Sequence, residues 1–368
     1  MRALALAIGL VLTACSQPTP TTVTPSPIPT REAGTWSVTA LLDLSGNRAP
    51  DGGPQRDALQ LWADQHATAS PRVKLRIVDV GGSQARTLVE LRRAAVDERA
   101  DAIIVGASVE YDAAFASAVQ LAQLPVLFTL PITDPAVGGG GWAFALAPTP
   151  ADLAKAALDD AAARTVLSST IVVSDESPAA IPERAALVAD LAKRSVTPTL
   201  LKATASEATR LRAALATSSV VLFAGPARAY VETARAAPSG ALLYFSYLCD
   251  IGDVGDLRDA AAVITWPGSR WIASGTASAA RTAFVQSFSD RAGPPTTPAA
   301  SAYDALELLA SAADESADAM RVRQRIEGTR LAGIATTYSF TPTRHAGFAM
   351  ADLAFLRYTG TRTPPIVR

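Results

Sequence analysis

Short apolar runs alternate with segments that place apolar residues at helical spacing along the first part of the chain. The runs are rich in β-branched residues and have the length of strands, and the segments between them have the length of helices. The predicted strands are Trp36–Leu42, Val73–Asp79, Ala102–Gly106, Val126–Leu130 and Trp142–Leu146. The predicted helices begin near Pro54 and at Gln84 and Tyr111.

The same alternation restarts after Pro148, Thr149 and Pro150. It predicts the strands Thr170–Val173, Thr197–Leu201, Val220–Phe223 and Leu242–Phe245, with the helices Ala151–Ala163, Pro182–Arg194, Ser206–Ala216 and Ala227–Ala236. The last part, from Arg281 to Glu327, is predicted to be helical. Two closing strands are predicted after it, Thr337–Phe340 and Phe348–Leu356.

Strands that alternate with helices must be parallel, because each helix carries the chain back to the starting edge of the sheet. Open parallel sheets are covered by helices on both faces. The fold class is therefore α/β, with two doubly wound parallel-sheet lobes. Since the closing strands come after a helical stretch, each lobe is expected to be discontinuous in sequence.

The N-terminus has the pattern of an export signal. Residues 1–15 combine Arg2, an apolar run and the ending Leu12-Thr13-Ala14-Cys15, a pattern typical of a secretory signal and too short for a membrane span. The ending resembles the bacterial lipobox, in which the cysteine is diacylated and becomes the new N-terminus. An ordinary signal peptide with an incidental cysteine is the alternative. Residues 16–35 are rich in Pro and Thr and predict an extended tether.

The charge balance and the small number of metal-ligating residues argue against several classes of function. The chain has 33 basic and 34 acidic side chains, which provides no overall basic field for nucleic acid. Cys15, Cys249, His66 and His345 are too few for a Cys/His zinc site, and we expect no metal or cofactor. No nucleophile elbow or zinc-protease motif occurs, so we expect no enzyme and interpret both histidines as surface or capping residues. Asp304 is also assigned a structural role, because helix N-termini favour Asp.

Five short segments carry a family resemblance through their order and spacing. They are Leu42-Asp43-Leu44-Ser45-Gly46, Arg56-Asp57-Ala58, Ile104-Val105-Gly106 with Ser108, Phe128-Thr129-Leu130-Pro131-Ile132-Thr133-Asp134-Pro135, and Ala302-Tyr303-Asp304-Ala305-Leu306. Over residues 36–358 the chain resembles the type I periplasmic binding proteins, specifically the substrate-binding lipoproteins of branched-chain amino-acid ABC importers. The resemblance implies two lobes joined by three crossovers, with a ligand trapped between them by hinge closure.

The expected crossovers lie near Ala147, Pro267 and Gly333. They divide the folded part into an N-terminal lobe of residues 36–147 and 268–332 and a C-terminal lobe of residues 148–267 and 333–358. Residues 359–368 form a tail.

Ligands of open parallel sheets bind beyond the carboxyl ends of the strands, where helix N-termini point N–H groups at one spot. In the first lobe the loops at these ends contribute the candidate ligand-binding residues Ser45, Asp51, Ser108, Thr129 and Thr133. The resemblance implies that Ser108 and Thr133 hold a ligand carboxylate. The alternative is that both cap the following helices.

In the second lobe the candidates are Asp175, Tyr247 and Asp250, and an acid there would pair with a ligand ammonium. The chain departs from the family pattern at this site. No tyrosine follows the strand that ends at Val173, Asp250 matches the family's acid only loosely, and Asp51 falls where relatives often carry an aromatic residue. These departures concern ligand specificity and leave the fold in place.

The resemblance implies an extracytoplasmic solute-binding lipoprotein of the cell envelope, anchored to the bilayer through Cys15. It would bind a small polar ligand, such as an amino acid or a related amide or carboxylate, and present it to ABC permease subunits as a monomer. The alternative is a non-transport lipoprotein that uses the same fold to bind a protein partner as a regulator or sensor. A large exposed apolar patch outside the cleft would favour the alternative.

Overall fold

Five parallel strands form the sheet of the first lobe. A computed structural model describes residues 34–136, 141–225, 234–235, 237–248, 262–271, 278–313, 318–357 and 366–367. The strands are β1 (Thr35–Leu42), β2 (Arg72–Asp79), β3 (Ala102–Gly106), β4 (Val126–Phe128) and β5 (Ala143–Ala145), in the spatial order β2-β1-β3-β4-β5. Because every neighbouring pair is parallel, all carboxyl ends lie at one edge, and the order reverses between β1 and β3.

Three helices connect these strands: α1 (Ala49–Gln65), α2 (Gln84–Val96) and α3 (Ala113–Ala122). The predicted start of α1 near Pro54 is wrong, since the helix begins more than a turn earlier. The prolines and glycines of this segment indicated a loop, but a proline is tolerated in the first helical turn. Pro50 occupies that turn, and Gly52 allows the helix to pass close to the end of β1.

The second lobe repeats the arrangement with α4 (Pro150–Ala162), β6 (Thr170–Ser174), α5 (Ala180–Lys193), β7 (Thr199–Lys202), α6 (Ala208–Leu215), β8 (Val220–Ala224), β9 (Leu242–Tyr244) and β10 (Val263–Ser269). The strands β7-β6-β8-β9-β10 are parallel neighbours, and the order reverses between β6 and β8. Strand β10 was not predicted from the sequence, and it continues through the predicted crossover at Pro267. The chain leaves the second sheet only after Ser269.

The C-terminal part returns to both lobes. Its elements are α7 (Ala279–Ala292), α8 (Thr297–Ala312), α9 (Ala319–Glu327), β11 (Arg330–Ala332), β12 (Thr337–Ser339), β13 (Leu353–Arg357) and β14 (Ile366–Val367). The two strands β13 and β14 extend the second sheet in antiparallel pairing. The two lobes with parallel sheets are therefore confirmed, with an antiparallel edge on the second.

The third crossing lies further along the chain than expected. β12 pairs with β11, Tyr338 and Phe340 pack in the core of the first lobe, and Ala346 pairs with Ala145 at the end of β5. The connection to the second lobe therefore falls between Ala346 and β13, rather than near Gly333. Gly333 was a misleading boundary because apolar residues on both sides of it face the first lobe.

Apolar side chains cover both faces of the first sheet. One cluster joins the sheet to α1, α7, α8 and α9 through Trp62, Phe288 and Leu309. The other joins it to α2 and α3 through Leu91 and Phe115. The strands β1, β3, β4 and β5 are consequently buried, as their apolar runs predict, whereas the edge strand β2 is partly exposed.

His345 is 1% exposed, so its interpretation as a surface or capping residue is wrong. Its Nδ1 lies 2.8 Å from the Ala143 carbonyl oxygen and its ring stacks on Phe144, which fixes it inside the first lobe. His66 does cap α1, with Nδ1 2.8 Å from the Trp62 carbonyl oxygen.

Several predictions lie outside the described residues. They are the signal segment with Cys15, most of the linker, Asp250 with Cys249, most of the helix Ala227–Ala236, and the tail except residues 366–367. Within the part of the chain that the structure describes, no helix is long and apolar enough to cross a membrane.

Candidate ligand-binding cleft

The carboxyl edge of the first sheet is organised around Asp43, the residue after β1. Its side chain is fully buried, and its two oxygens accept hydrogen bonds from the backbone N–H groups of Gly82 (2.7 Å) and Ser108 (2.9 Å). Burial raises the pKa of Asp43, while the N–H donors of Ser108 and Gly82 and the charge of Arg48 counteract the rise. One carboxylate thus fixes the loops after β2 and β3 to the end of β1.

A second internal network occupies the space between β1, β3 and β4. The Gln55 amide donates to the carbonyl oxygens of Gly106 (2.9 Å) and Asp51 (3.0 Å), and it accepts a hydrogen bond from the Thr129 hydroxyl at 2.5 Å. A Cβ atom at Gly106 would lie 2.4 Å from Gln55 Oε1, so a larger residue at this position would displace the Gln55 amide. Thr129 is fully buried and hydrogen-bonded within its own lobe.

The carboxyl edge of the second sheet has a matching carboxyl group, Glu183, in the first turn of α5. Its Oε2 accepts hydrogen bonds from the Gly225 backbone N–H (2.8 Å) and the Ser246 hydroxyl (2.9 Å). Burial raises the pKa of Glu183 to about 7, against the lowering effect of these two donors. Glu183 therefore joins the loops that follow β8 and β9.

The two carboxyl edges meet through a charged pair. Arg48, in the loop after β1, has Nη2 3.8 Å from Oδ2 of Asp175, which directly follows β6. Its Nη1 lies 3.5 Å from Oδ2 of Asp51 in its own lobe. Each of these loops stands where the strand order of its sheet reverses, which is where doubly wound sheets bind ligands.

An apolar contact lies beside the charged pair. Leu130, after β4 of the first lobe, packs against Ala179 and Leu248 of the second lobe, and all three are buried. Polar and apolar groups of both lobes therefore contact each other at the same edge.

The structure brings three predicted site residues together, namely Asp51, Asp175 and Ser108. Asp51 and Asp175 lie near the Arg48 guanidinium. The backbone N–H of Ser108 donates a hydrogen bond to Asp43, which lies in the same loop as Arg48 after β1. The Ser108 hydroxyl is buried and makes no hydrogen bond within the described part of the chain. Their role in ligand binding remains a prediction.

The other predicted residues lie in different settings. Ser45 and Thr133 are exposed at the rim of the first lobe, and the Ser45 hydroxyl hydrogen-bonds Asp79. Tyr247 is buried with Ala147 and Phe348, which belong to the connections between the lobes. It therefore packs against chain segments that connect the two lobes.

Three residues of these networks, Arg48, Gln55 and Glu183, were not predicted from the sequence. Arg48 is the sole basic residue between β1 and the first turn of α1, and Gly81-Gly82 after β2 indicates that a side chain approaches the backbone there. These two signals together would have identified it. Glu183 offered a weaker signal, because acidic residues are common in first helical turns.

No cluster of His, Cys, Asp and Glu suited to a metal ion occurs among the described residues. Within the described residues, the groups that meet at the two carboxyl edges are the Arg48 guanidinium, several carboxyl groups, backbone N–H groups and small apolar side chains.

Comparisons with known proteins identify the family. A model of the periplasmic binding protein family matches residues 35–362. A comparison with curated protein sequences finds no match. Because the family match spans most of the chain, it covers both lobes and every cleft residue described above.

Solved structures share the whole architecture at low sequence identity. The leucine-binding protein LivK of Thermotoga maritima superposes with a TM-score of 0.74 at 15% identity, over 90% of this chain and 98% of that one. The branched-chain amino acid transporter substrate-binding protein LivJ of Streptococcus pneumoniae, in complex with isoleucine, has a TM-score of 0.71 at 16% identity, over 90% and 99% of the chains. An extracellular ligand-binding receptor from Rhodopseudomonas palustris HaA2 has a TM-score of 0.73 at 19% identity, over 91% and 100%.

The similarity to solved structures shows the fold of the chain, and the match to the family model shows the family to which it belongs. The chain belongs to the periplasmic binding protein family and has its type I fold.

Proposed function

We propose that the chain is an extracytoplasmic solute-binding lipoprotein of an ABC importer. It binds a small polar ligand, an amino acid or a related amide or carboxylate, between its lobes by hinge closure. The observation that carries the proposal is the pair formed by Arg48 and Asp175, which joins the two points where the strand orders reverse. LivJ with its bound isoleucine has the same fold.

Closure needs a ligand that contacts both lobes, because a ligand that binds the open and closed forms equally shifts no equilibrium. The loops of Arg48 and Asp51 on one lobe and of Asp175 and Glu183 on the other offer such contacts. The three connections between the lobes act as the hinge. In this proposal Tyr247 belongs to the hinge and not to the ligand contacts.

Calorimetric titration of the purified full chain with amino acids, their amides and small carboxylates tests ligand binding. We expect at least one compound to bind and to lower the radius of gyration in small-angle scattering. Ala179→Trp, which places a bulky ring between the lobes, should abolish this compaction. Ala162→Trp on the exposed end of α4 is the control, and a panel with no binding compound would contradict the proposal.

The anchor rests on the sequence of residues 1–15 and is tested separately. We expect the wild-type chain to incorporate labelled palmitate and to fractionate with membranes in a bacterial host. Cys15→Ser should lose both properties, whereas Cys249→Ser, at the only other cysteine, should retain them. Membrane retention and labelling of Cys15→Ser would show that the cysteine is incidental.

The import role predicts a cellular phenotype. Deletion of the gene should lower the uptake of the compound that binds the purified chain, and a plasmid copy should restore it. Uptake that is unchanged by the deletion would contradict the importer and leave ligand binding in place.

A further inference from the structure

We propose that Arg48 recognises a carboxylate group of the ligand, so that the ligand is a small organic carboxylate whose recognition does not need an amino group. The inference rests on the proposed function, since it names the ligand class of the same cleft. It is carried by the environment of the Arg48 guanidinium.

Arg48 is buried and only partly satisfied. The residue is 9% exposed, and a guanidinium carries five N–H donors. Nη1 has one distant acceptor, Asp51 Oδ2 at 3.5 Å. Nη2 makes no hydrogen bond within the described residues, and Asp175 Oδ2 at 3.8 Å is beyond hydrogen-bonding distance. A buried N–H donor without an acceptor is unfavourable. We therefore expect an atom of the ligand to accept a hydrogen bond from Nη2 of Arg48.

Two glycines fix the positions of the charged groups. A Cβ atom at Gly82 would lie 3.2 Å from Cγ of Arg48, and a Cβ atom at Gly225 would lie 2.6 Å from Oδ1 of Asp175. Both glycines have positive φ angles, +71° and +95°, which other residues rarely adopt. The backbone thus lets both side chains lie directly against it.

Each acid of the second lobe at this edge already interacts with a group of the protein through at least one carboxyl oxygen. Asp175 Oδ1 accepts hydrogen bonds from the backbone N–H (3.0 Å) and hydroxyl (2.6 Å) of Ser177. Glu183 accepts from Gly225 and Ser246, and Glu176 pairs with Arg184 and Lys202.

A ligand ammonium would compete with Arg48 for Asp175. A ligand carboxylate would instead meet an N–H group that lacks an acceptor. The balance of donors and acceptors in the cleft therefore favours an acceptor on the ligand.

A carboxylate fits this donor better than other small acceptors. Its two oxygens match the parallel N–H groups of a guanidinium, and such charge-assisted pairs are the stronger hydrogen bonds. A primary amide of the same shape offers one oxygen and turns an NH₂ donor toward the guanidinium. Lysine cannot reproduce the planar arrangement of donors.

Calorimetry on the full chain with matched compounds tests the assignment. Each set has one carbon skeleton as the 2-oxo acid, the 2-amino acid, its primary amide and the amine without a carboxyl group. We expect the 2-oxo acid to bind at least as tightly as the 2-amino acid, and the amide and amine to bind about tenfold or more weakly.

Variants of the pair give a second measurement. Arg48→Gln should weaken carboxylate binding by about 10- to 100-fold, and Arg48→Lys should restore only part of it. Asp175→Asn should raise the affinity for the carboxylate relative to its primary amide, because it removes the charge that competes for Arg48, whereas the loss of the pair weakens closure on both compounds alike. Arg164→Gln is the control, since Arg164 binds Asp160 with Nε and Nη2 at 3.0 Å each, and we expect it to leave the affinity unchanged.

The outcomes separate the inference from the proposed function. Any of three results overturns the inference and leaves solute binding in place. They are equal affinity for the acid and its amide, binding of amines alone, and unchanged affinity in Arg48→Gln. Failure of every compound to bind overturns both. Thermal melting checks the folding of each variant; if Arg48→Gln is unfolded, the matched compounds and the direction of the Asp175→Asn effect decide.

Discussion

Gly52 lies in α1 where the helix passes closest to the end of β1. A Cβ atom there would be 2.0 Å from the carbonyl oxygen of Asp43, a backbone atom that has little freedom to move. Gly52→Ala should therefore lower the free energy of unfolding by about 3 kcal/mol, the upper range for overpacking a core. Urea denaturation followed by circular dichroism measures the change.

The neighbouring glycine supplies the control for Gly52. A Cβ atom at Gly53 would meet no atom within 4 Å, although the residue lies in the same helix. Gly53→Ala should raise the free energy of unfolding by about 0.5 kcal/mol, since alanine has the higher helix propensity. Equal effects of the two substitutions would show that helix propensity, not the contact with Asp43, governs this segment.

At the scale of elements, hydrophobic periodicity was a good guide where packing is regular. It placed β3 at Ala102–Gly106, as observed, because both faces of this strand are buried and the apolar run has clear ends. It failed at α1, where Gly52 permits a close approach to the backbone of Asp43, and at β10, where Pro267 lies inside a strand. Local residue preferences cannot report such contacts, because they depend on what lies opposite in the fold.

Asp304 shows how a side chain can be structural for a reason that the sequence conceals. It lies in the middle of α8, not at the helix start, and is fully buried. Its carboxylate accepts hydrogen bonds from the backbone N–H groups of Ile334 (2.6 Å) and Ala335 (2.7 Å) and from the Tyr338 hydroxyl (3.1 Å). Asp304 thereby attaches α8 to the segment between β11 and β12.

The pH dependence of stability follows from this burial. Burial raises the pKa of Asp304 from 3.8 to about 7 and that of Glu183 from 4.5 to about 7. The folded state then binds protons more tightly than the unfolded chain. This contribution is complete below about pH 4 and is lost as pH rises to about 7. The free energy of unfolding should consequently fall across that window.

Denaturation of wild type and variants at a series of pH values measures this slope. Asp304→Asn and Glu183→Gln cannot titrate, so each should reduce the slope, and Asp304→Asn should also be less stable because its NH₂ group faces N–H donors. Asp290→Asn at an exposed position of α7 is the control. A slope that is identical in all four proteins would contradict the assignment to these two groups.

At the scale of the whole molecule, the resemblance predicted a site in the loops after parallel strands but not which groups meet there. Asp51 and Asp175 were among the candidates in these loops, and the structure brings them together around Arg48. Arg48 was missed because its partner lies 127 positions away in the chain, on the other lobe. Only the arrangement of the two lobes makes that pair visible.

The contact between the lobes also has an apolar part, and this part predicts how closure is controlled. Leu130 is 3% exposed because Ala179 and Leu248 of the second lobe cover it. Burial of a leucine side chain favours the contact by about 2 kcal/mol. Leu130→Asn should therefore lower the ratio of closed to open molecules about tenfold or more.

Small-angle scattering of the full chain without ligand measures this ratio through the radius of gyration, which should increase in Leu130→Asn. Leu121→Asn is the matched control, because Leu121 is 76% exposed on α3 of the same lobe. Calorimetric titration of any binding compound should show a parallel loss of affinity in Leu130→Asn, since closure contributes to binding. Superimposable scattering curves for the two variants would mean that the apolar contact does not hold the lobes together, and that closure depends on the charged pair and the ligand.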